Sequence, residues 1–169
     1  MYWHRTALGR PVHCIVGKQL NYDGNRESDG AFTHESDIVS NGFGAEWATG
    51  LTAGKRTDGS ATNGTGVDFA SGTFAGSSTF GAQFYLQVLG FTGTSVTVKI
   101  QESADNGAGD AWADVTGGGF TVATGITAER IQTSRTQTVE RYLRAVTVGT
   151  FSNAVIAVAA VRNDTLVRL

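Results

Sequence analysis

The sequence predicts an all-β protein: an antiparallel β-sandwich, preceded by a partial β segment of a different kind. Three observations predict it. The chain holds 23 Gly and a single Pro among abundant Thr, Ser, Ala and Val, which is the composition of short strands joined by tight turns. Its apolar residues recur with period two rather than 3.6. Turn signals also separate the apolar runs at regular intervals in the second half of the chain, as in a sandwich or barrel.

Taken in order, residues 12–18 and 31–39 read as strands. Between them the Asp, Asn and Gly of residues 21–30 read as a loop longer than a hairpin turn. Two strands and a loop form a poor core, so residues 1–55 are expected to pack on the following domain or on another chain. Residues 56–66, small and polar without an apolar anchor, read as an exposed linker to a second unit at 67–169.

Within that unit, residues 82–89 alternate, with Phe84, Leu86 and Val88 on one face. Residues 95–102 place Val96, Val98 and Ile100 inward and Thr97, Lys99 and Gln101 outward. Residues 112–115, 120–122 and 129–132 read as three shorter strands, and residues 138–148 and 154–161 as long ones joined by a hairpin at 149–153. Residues 154–161 are apolar at every position, which predicts a strand covered on both faces. Leu143, Ile156 and Val158 are expected core residues. About seven strands in roughly 100 residues fit an immunoglobulin-like or a jelly-roll sandwich, and the pattern does not choose between them.

Composition also excludes functions. A formal net charge of −2 with 17% charged residues argues against a nucleic-acid partner and against disorder. The single Cys14 forbids an intrachain disulfide and reads as a buried thiol. No stretch approaches the roughly 18 apolar residues of a membrane span, and the start of the chain lacks the layout of a signal peptide. The protein is therefore expected to be soluble and made in the cytoplasm.

No constellation for chemistry is visible by spacing. The histidines are His4, His13 and His34; His13 beside Cys14, and His34 beside Glu35, point to opposite faces of their strands, so neither pair grips one metal ion. Gly42-Phe43-Gly44 is a chance Gly-x-Gly in a Gly-rich chain. Asp105-Asn106-Gly107-Ala108-Gly109-Asp110 clusters carboxylates, but it lacks the spacing of an EF-hand loop and Asn-Gly turn chemistry explains it. No enzyme activity, metal or cofactor is expected. Of the three tryptophans, Trp112 opens a strand and is a candidate glycan contact. Trp3 and Trp47 belong to the incomplete N-terminal part, where an aromatic suits an interface.

The run Gly81-Ala82-Gln83-Phe84-Tyr85-Leu86-Gln87-Val88, the run from Phe91 to Asn106 and Trp112-Ala113-Asp114-Val115 resemble the C-terminal domain of tail tube proteins of long-tailed bacteriophages. Ala128-Glu129-Arg130-Ile131, Arg141-Tyr142-Leu143-Arg144-Ala145-Val146 and Val158-Ala159-Ala160-Val161-Arg162-Asn163 extend the resemblance over most of residues 80–163. Residues from Gly9 to Arg56 look like the later half of the tube-forming domain that precedes it; the earlier strands of that domain have no counterpart here. The resemblance implies a non-enzymatic structural protein of the virion, most readily a tail component, which self-assembles into rings while the sandwich faces outward as decoration. Val12, Ile15, Phe32, Ile38 and Trp47 are then the expected assembly residues. The partners would be other copies and other virion proteins. A capsid or baseplate decoration role, or a carbohydrate-binding module touching the host surface, is the alternative.

Overall fold

The computed structural model describes residues 1–3, 5–26, 30, 32–70 and 75–166, with the backbone alone at Tyr22 and His34. Among these residues the regular structure is all β-strand, antiparallel throughout, and arranged as an antiparallel sandwich.

Two long strands organise it. β9 (Ala82–Ser103) and β12 (Tyr142–Arg162) pair along their whole length. This corrects the sequence reading, which divided each into two shorter strands and placed a hairpin at residues 149–153. Instead the chain runs straight through, and bulges absorb the turn-like residues. Leu89 and Thr94 on β9, and Ser152 on β12, are left without a partner in the register. Each bulge residue inverts the inward and outward alternation of its strand. Two of them on β9 cancel, so Phe84, Leu86 and Val88 share a parity with Val96, Val98 and Ile100, and all six are buried. The single one on β12 does not cancel. Leu143 and Ala145 are buried before it, and Ala154, Ile156, Val158 and Ala160 after it.

Gly93 and Gly149 serve these kinks. Their φ angles are 152° and 132°. A Cβ on Gly93 would lie 2.4 Å from the Phe151 Cα, and one on Gly149 would lie 2.4 Å from the Ser95 carbonyl oxygen. Thus β9 and β12 form one bulged ribbon whose two halves contribute to a single core. β11 (Thr127–Gln132) pairs the first half of β9, and β10 (Ala113–Gly119) pairs the second. Residues 120–122, expected as a strand, instead lead to an isolated bridge between Ala123 and Val96.

The opposite edge of β12 is lined by short strands: β5 (Glu46–Gly50), β6 (Arg56–Asp58), β7 (Thr62–Asn63) and β8 (Val67–Asp68). Residues 56–66 are therefore no exposed linker. Asp58 is buried: it takes a two-bonded ion pair from Arg56 (Nε to Oδ1 2.9 Å, Nη2 to Oδ2 2.8 Å) and accepts 2.8 Å from the buried Thr147 hydroxyl. Arg56 also donates to the Ala145 carbonyl at 3.1 Å. This polar node, absent from any apolar pattern, is what seats the segment on β12.

β1 (Tyr2–Trp3) and β2 (Pro11–Cys14) extend the sheet beyond β5. Val12, Cys14 and Ala48 bury a second small core with Tyr85 and Ala159, while Trp3 lies on Gly50. This cover on the second face accounts for the apolar residues Ala159 and Val161 near the end of β12. Burial also pushes the Cys14 thiol up to about 12, which fits an inert side chain.

Candidate functional site

One element stands apart from this body. Among the described residues, β3 (Gly17–Arg26) and β4 (Phe32–Ser40) pair only with each other and form a separate two-stranded antiparallel arm. The sequence reading placed a loop from residue 21; the strand instead continues to Arg26, and residues 27–29 and 31 of that expected loop and strand lie outside the described residues. Strand pairing reached past the turn-forming residues because nothing in Asn21, Asp23 or Gly24 forbids an exposed ribbon.

The register gives the arm two unlike faces. Gln19 pairs with Ile38 and Arg26 with Phe32 on one of them. On the other, Asp23 lies opposite Glu35 and Asn21 opposite Asp37. Two carboxylates directly across a ladder repel, so the arm carries a destabilising pair with no cation bridged to it among the described residues. Its apolar residues are also exposed to solvent, Phe32 to 64%, Leu20 to 64%, Ile38 to 51% and Val39 to 51%. A two-stranded ribbon of this kind is marginal by itself in water.

The root of the arm, by contrast, is fixed. The Arg130 guanidinium sits 4.2 Å from the Phe43 ring centroid and 5.6 Å from that of Tyr85. Its Nε donates to the Tyr85 hydroxyl at 3.1 Å, Tyr85 donates to the Glu46 carboxylate, and Arg130 Nη2 lies 3.6 Å from Glu46. Burial, then the bond to Glu46, raises the Tyr85 phenol well above its ordinary range, so it stays a donor. Phe43 and Glu46 follow β4 directly, which makes this cluster a clamp on the returning chain. Sequence reading passed over it: Gly42-Phe43-Gly44 looked like chance, and only the fold brings residues 43, 46, 85 and 130 together.

The expected assembly residues separate under this geometry. Phe32 and Ile38 lie exposed on the arm. Ile15 is half-buried between β2 and β3, where it helps line a cavity of about 240 Å³ with Met1, Val16, Tyr85 and Arg130. Trp47 is 62% exposed on β5, its ring 5.1 Å from that of His13. Val12 is a correction: it is fully buried, because its face of β2 packs into the second core with Cys14, Ala48, Tyr85 and Ala159. At Val12 and His13 the strand expected at residues 12–18 is also paired on both edges, by β1 and β5.

Trp112, the candidate glycan contact, is half-buried. The Arg144 guanidinium covers one ring face at 4.3 Å, and Gly66 and Gly107 lie so close that a Cβ on either would meet the ring within 2.9 Å. The nearby acidic loop is satisfied by its own backbone: Asp105 accepts from the N–H groups of Ala108 (2.9 Å), Gly109 (2.6 Å) and Asp110 (3.1 Å), and Asp110 accepts from that of Ala104 (2.7 Å). Among the described residues no group of three or more His, Cys, Asp or Glu is placed to hold a metal ion, and no helix is long and apolar enough to cross a membrane. His4 lies outside the described residues.

Compared with known proteins, the chain matches no family model, and neither a curated protein nor a solved structure shows significant similarity to it.

Proposed function

We propose that this chain is a non-enzymatic structural protein of a bacteriophage-type virion, a self-assembling tail component whose arm joins it to neighbouring subunits and whose sandwich faces outward. The observation that carries this reading is the arm, which exposes Phe32, Ile38, Leu20 and Val39 on a ribbon that, among the described residues, pairs with no strand of the body. Exposed large apolar residues on an unsupported ribbon suit a surface that another protein covers. The resemblance of residues 80–163 to the outward domain of tail tube proteins gives the assembly its setting. Host-surface glycan binding is the weaker reading, since Arg144 occupies the Trp112 face that a sugar would stack on.

Sedimentation over a concentration series, with negative-stain microscopy of the concentrated sample, tests the proposal. Rings, stacked rings or tubes are expected from the full chain. A single monomeric species at every attainable concentration would remove the basis for self-assembly.

A further inference from the structure

We propose that Asn41 is a self-modification site: at Asn41-Gly42, where the chain returns from β4 to the body, the backbone cyclises onto the Asn41 side chain, releases ammonia and opens to aspartate or isoaspartate. The site stands independently of the self-assembly reading above.

The sequence has three Asn-Gly pairs, at 41–42, 63–64 and 106–107. In such a pair the Gly backbone nitrogen attacks the Asn Cγ, because a residue without a Cβ hinders the approach least. The N–Cγ bond forms, the Cγ–Nδ2 bond breaks, and the backbone proton leaves with the amide nitrogen as ammonia, giving a cyclic imide. Water then opens the imide with no change of oxidation state. Hydrolysis of the N–Cγ bond leaves an aspartate. Hydrolysis of the backbone C–N bond leaves an isoaspartate, whose main chain runs through Cβ and Cγ.

The fold separates the three pairs. Asn63 lies in β7, paired with Val146, and the Gly64 N–H donates to the Ala145 carbonyl at 2.9 Å. The Gly107 N–H donates to the Ser103 hydroxyl at 2.8 Å, while Asn106 holds a φ of 64° with its Oδ1 set against Gly66. In both pairs the attacking nitrogen is tied into a hydrogen bond that must open before it reacts. Asn41-Gly42 carries no such restraint. Both residues are exposed and lie past the end of β4, and Gly42 makes no hydrogen bond among the described residues. Gly42 holds a φ of 84°, and apart from its chain neighbours no atom lies within 4 Å of where a Cβ would stand.

The position gives the reaction a consequence. The Asn41 N–H donates to the Val16 carbonyl at 2.8 Å, tying together the two passages of chain at the root of the arm. Two residues further on, the Phe43 ring packs against the Arg130 guanidinium. An isoaspartate at residue 41 inserts one more main-chain atom between that bond and that contact, so their spacing changes and the clamp on the returning chain weakens.

Trypsin places each pair in its own peptide, 27–55, 57–99 and 100–130, and Asn41 is the one amide side chain in the first. The full chain is held in mildly alkaline buffer, digested at intervals and read by mass spectrometry, where exchange of the amide for a carboxyl gives a fixed mass increase. In the folded protein, peptide 27–55 should convert about tenfold faster than the other two, the factor that one hydrogen bond to the attacking nitrogen supplies. In urea the three rates should converge, because the protection is structural. Equal rates in the folded chain, or Asn63 or Asn106 converting first, would overturn the assignment. Hydrogen exchange is then compared between aged wild type and an Asn41→Gln variant aged beside it. Arm amides should exchange faster in the wild type; equal exchange would overturn the weakened clamp while the modification site stands.

Discussion

Arg141 grips Asp68 with two bonds, Nε to Oδ1 at 2.8 Å and Nη2 to Oδ2 at 2.6 Å, and the Ala70 N–H adds a third at 2.8 Å. These bonds, the Arg141 one foremost, hold the Asp68 carboxyl down to about 2 from an ordinary 3.8. A depressed carboxyl stabilises the fold fully above its unfolded pKa, and that contribution is lost as pH falls from about 3.8 through about 2. The pair is largely exposed, so solvent and salt keep its effect on stability small, and the titration itself is the better readout. Carbon-detected NMR of the Asp68 carboxyl should give a midpoint near 2 in the wild type, moving up toward the ordinary value in Arg141→Gln. A wild-type midpoint already at the ordinary value would mean that the pair does not form. At this same scale the turn at Asn106-Gly107 was legible from sequence: both residues hold positive φ, 64° and 83°, as an Asn-Gly turn requires. The Arg56–Asp58–Thr147 node was not, since it joins residues 89 apart and leaves no periodic trace.

The strands themselves were legible wherever alternation was regular. Val96, Val98 and Ile100 point inward as expected, and Leu143, Ile156 and Val158 are fully buried. What could not be read was where a strand ends. Gly149-Thr150-Phe151-Ser152-Asn153 has the composition of a hairpin turn, but local composition does not distinguish a reversal from a bulge; the register of β9 alongside decides it. The bulge at Ser152 is required by the buried set, because residues 143 and 145 face the core before it and 154, 156 and 158 after it. Deleting Ser152 would restore strict alternation and turn one half of β12 inside out, moving either Leu143 and Ala145 or Ile156 and Val158 out of the main core and putting residues of the opposite parity in their place. The expected loss is more than about 4 kcal/mol, the scale of burying wrong groups and uncovering several core side chains together. Ser152→Ala, which keeps the extra residue, should melt within a few degrees of the wild type. Calorimetry of the two variants checks this, and equal melting temperatures would mean that β12 tolerates either parity and the bulge sets nothing.

For the whole molecule, the consequential division falls between arm and body, not at residues 56–66 where the sequence placed it. Composition hid this because residues 1–14 and 46–51, like the arm, are too short to bury themselves, and only pairing to β12 and the second core separates them from it. The division also predicts two levels of stability in one chain. Amides of Val98, Ile100 and Val158 lie in the central ribbon and should exchange with solvent only on global unfolding. Amides paired within β3 and β4 belong to an isolated ribbon with a repelling Asp23–Glu35 pair, clamped only at its root by Arg130, Phe43 and Glu46. In dilute monomer they should exchange orders of magnitude faster than the body, slowing toward the clamp. Under conditions of assembly, a covered arm should gain protection while the body changes little, because binding stabilises the segment that is ordered by it. Hydrogen exchange followed by mass spectrometry at low and high protein concentration separates these cases. Arm peptides that exchange equally fast in both samples, in protein shown to be assembled, would place the contact elsewhere on the body and leave the arm without a role in it.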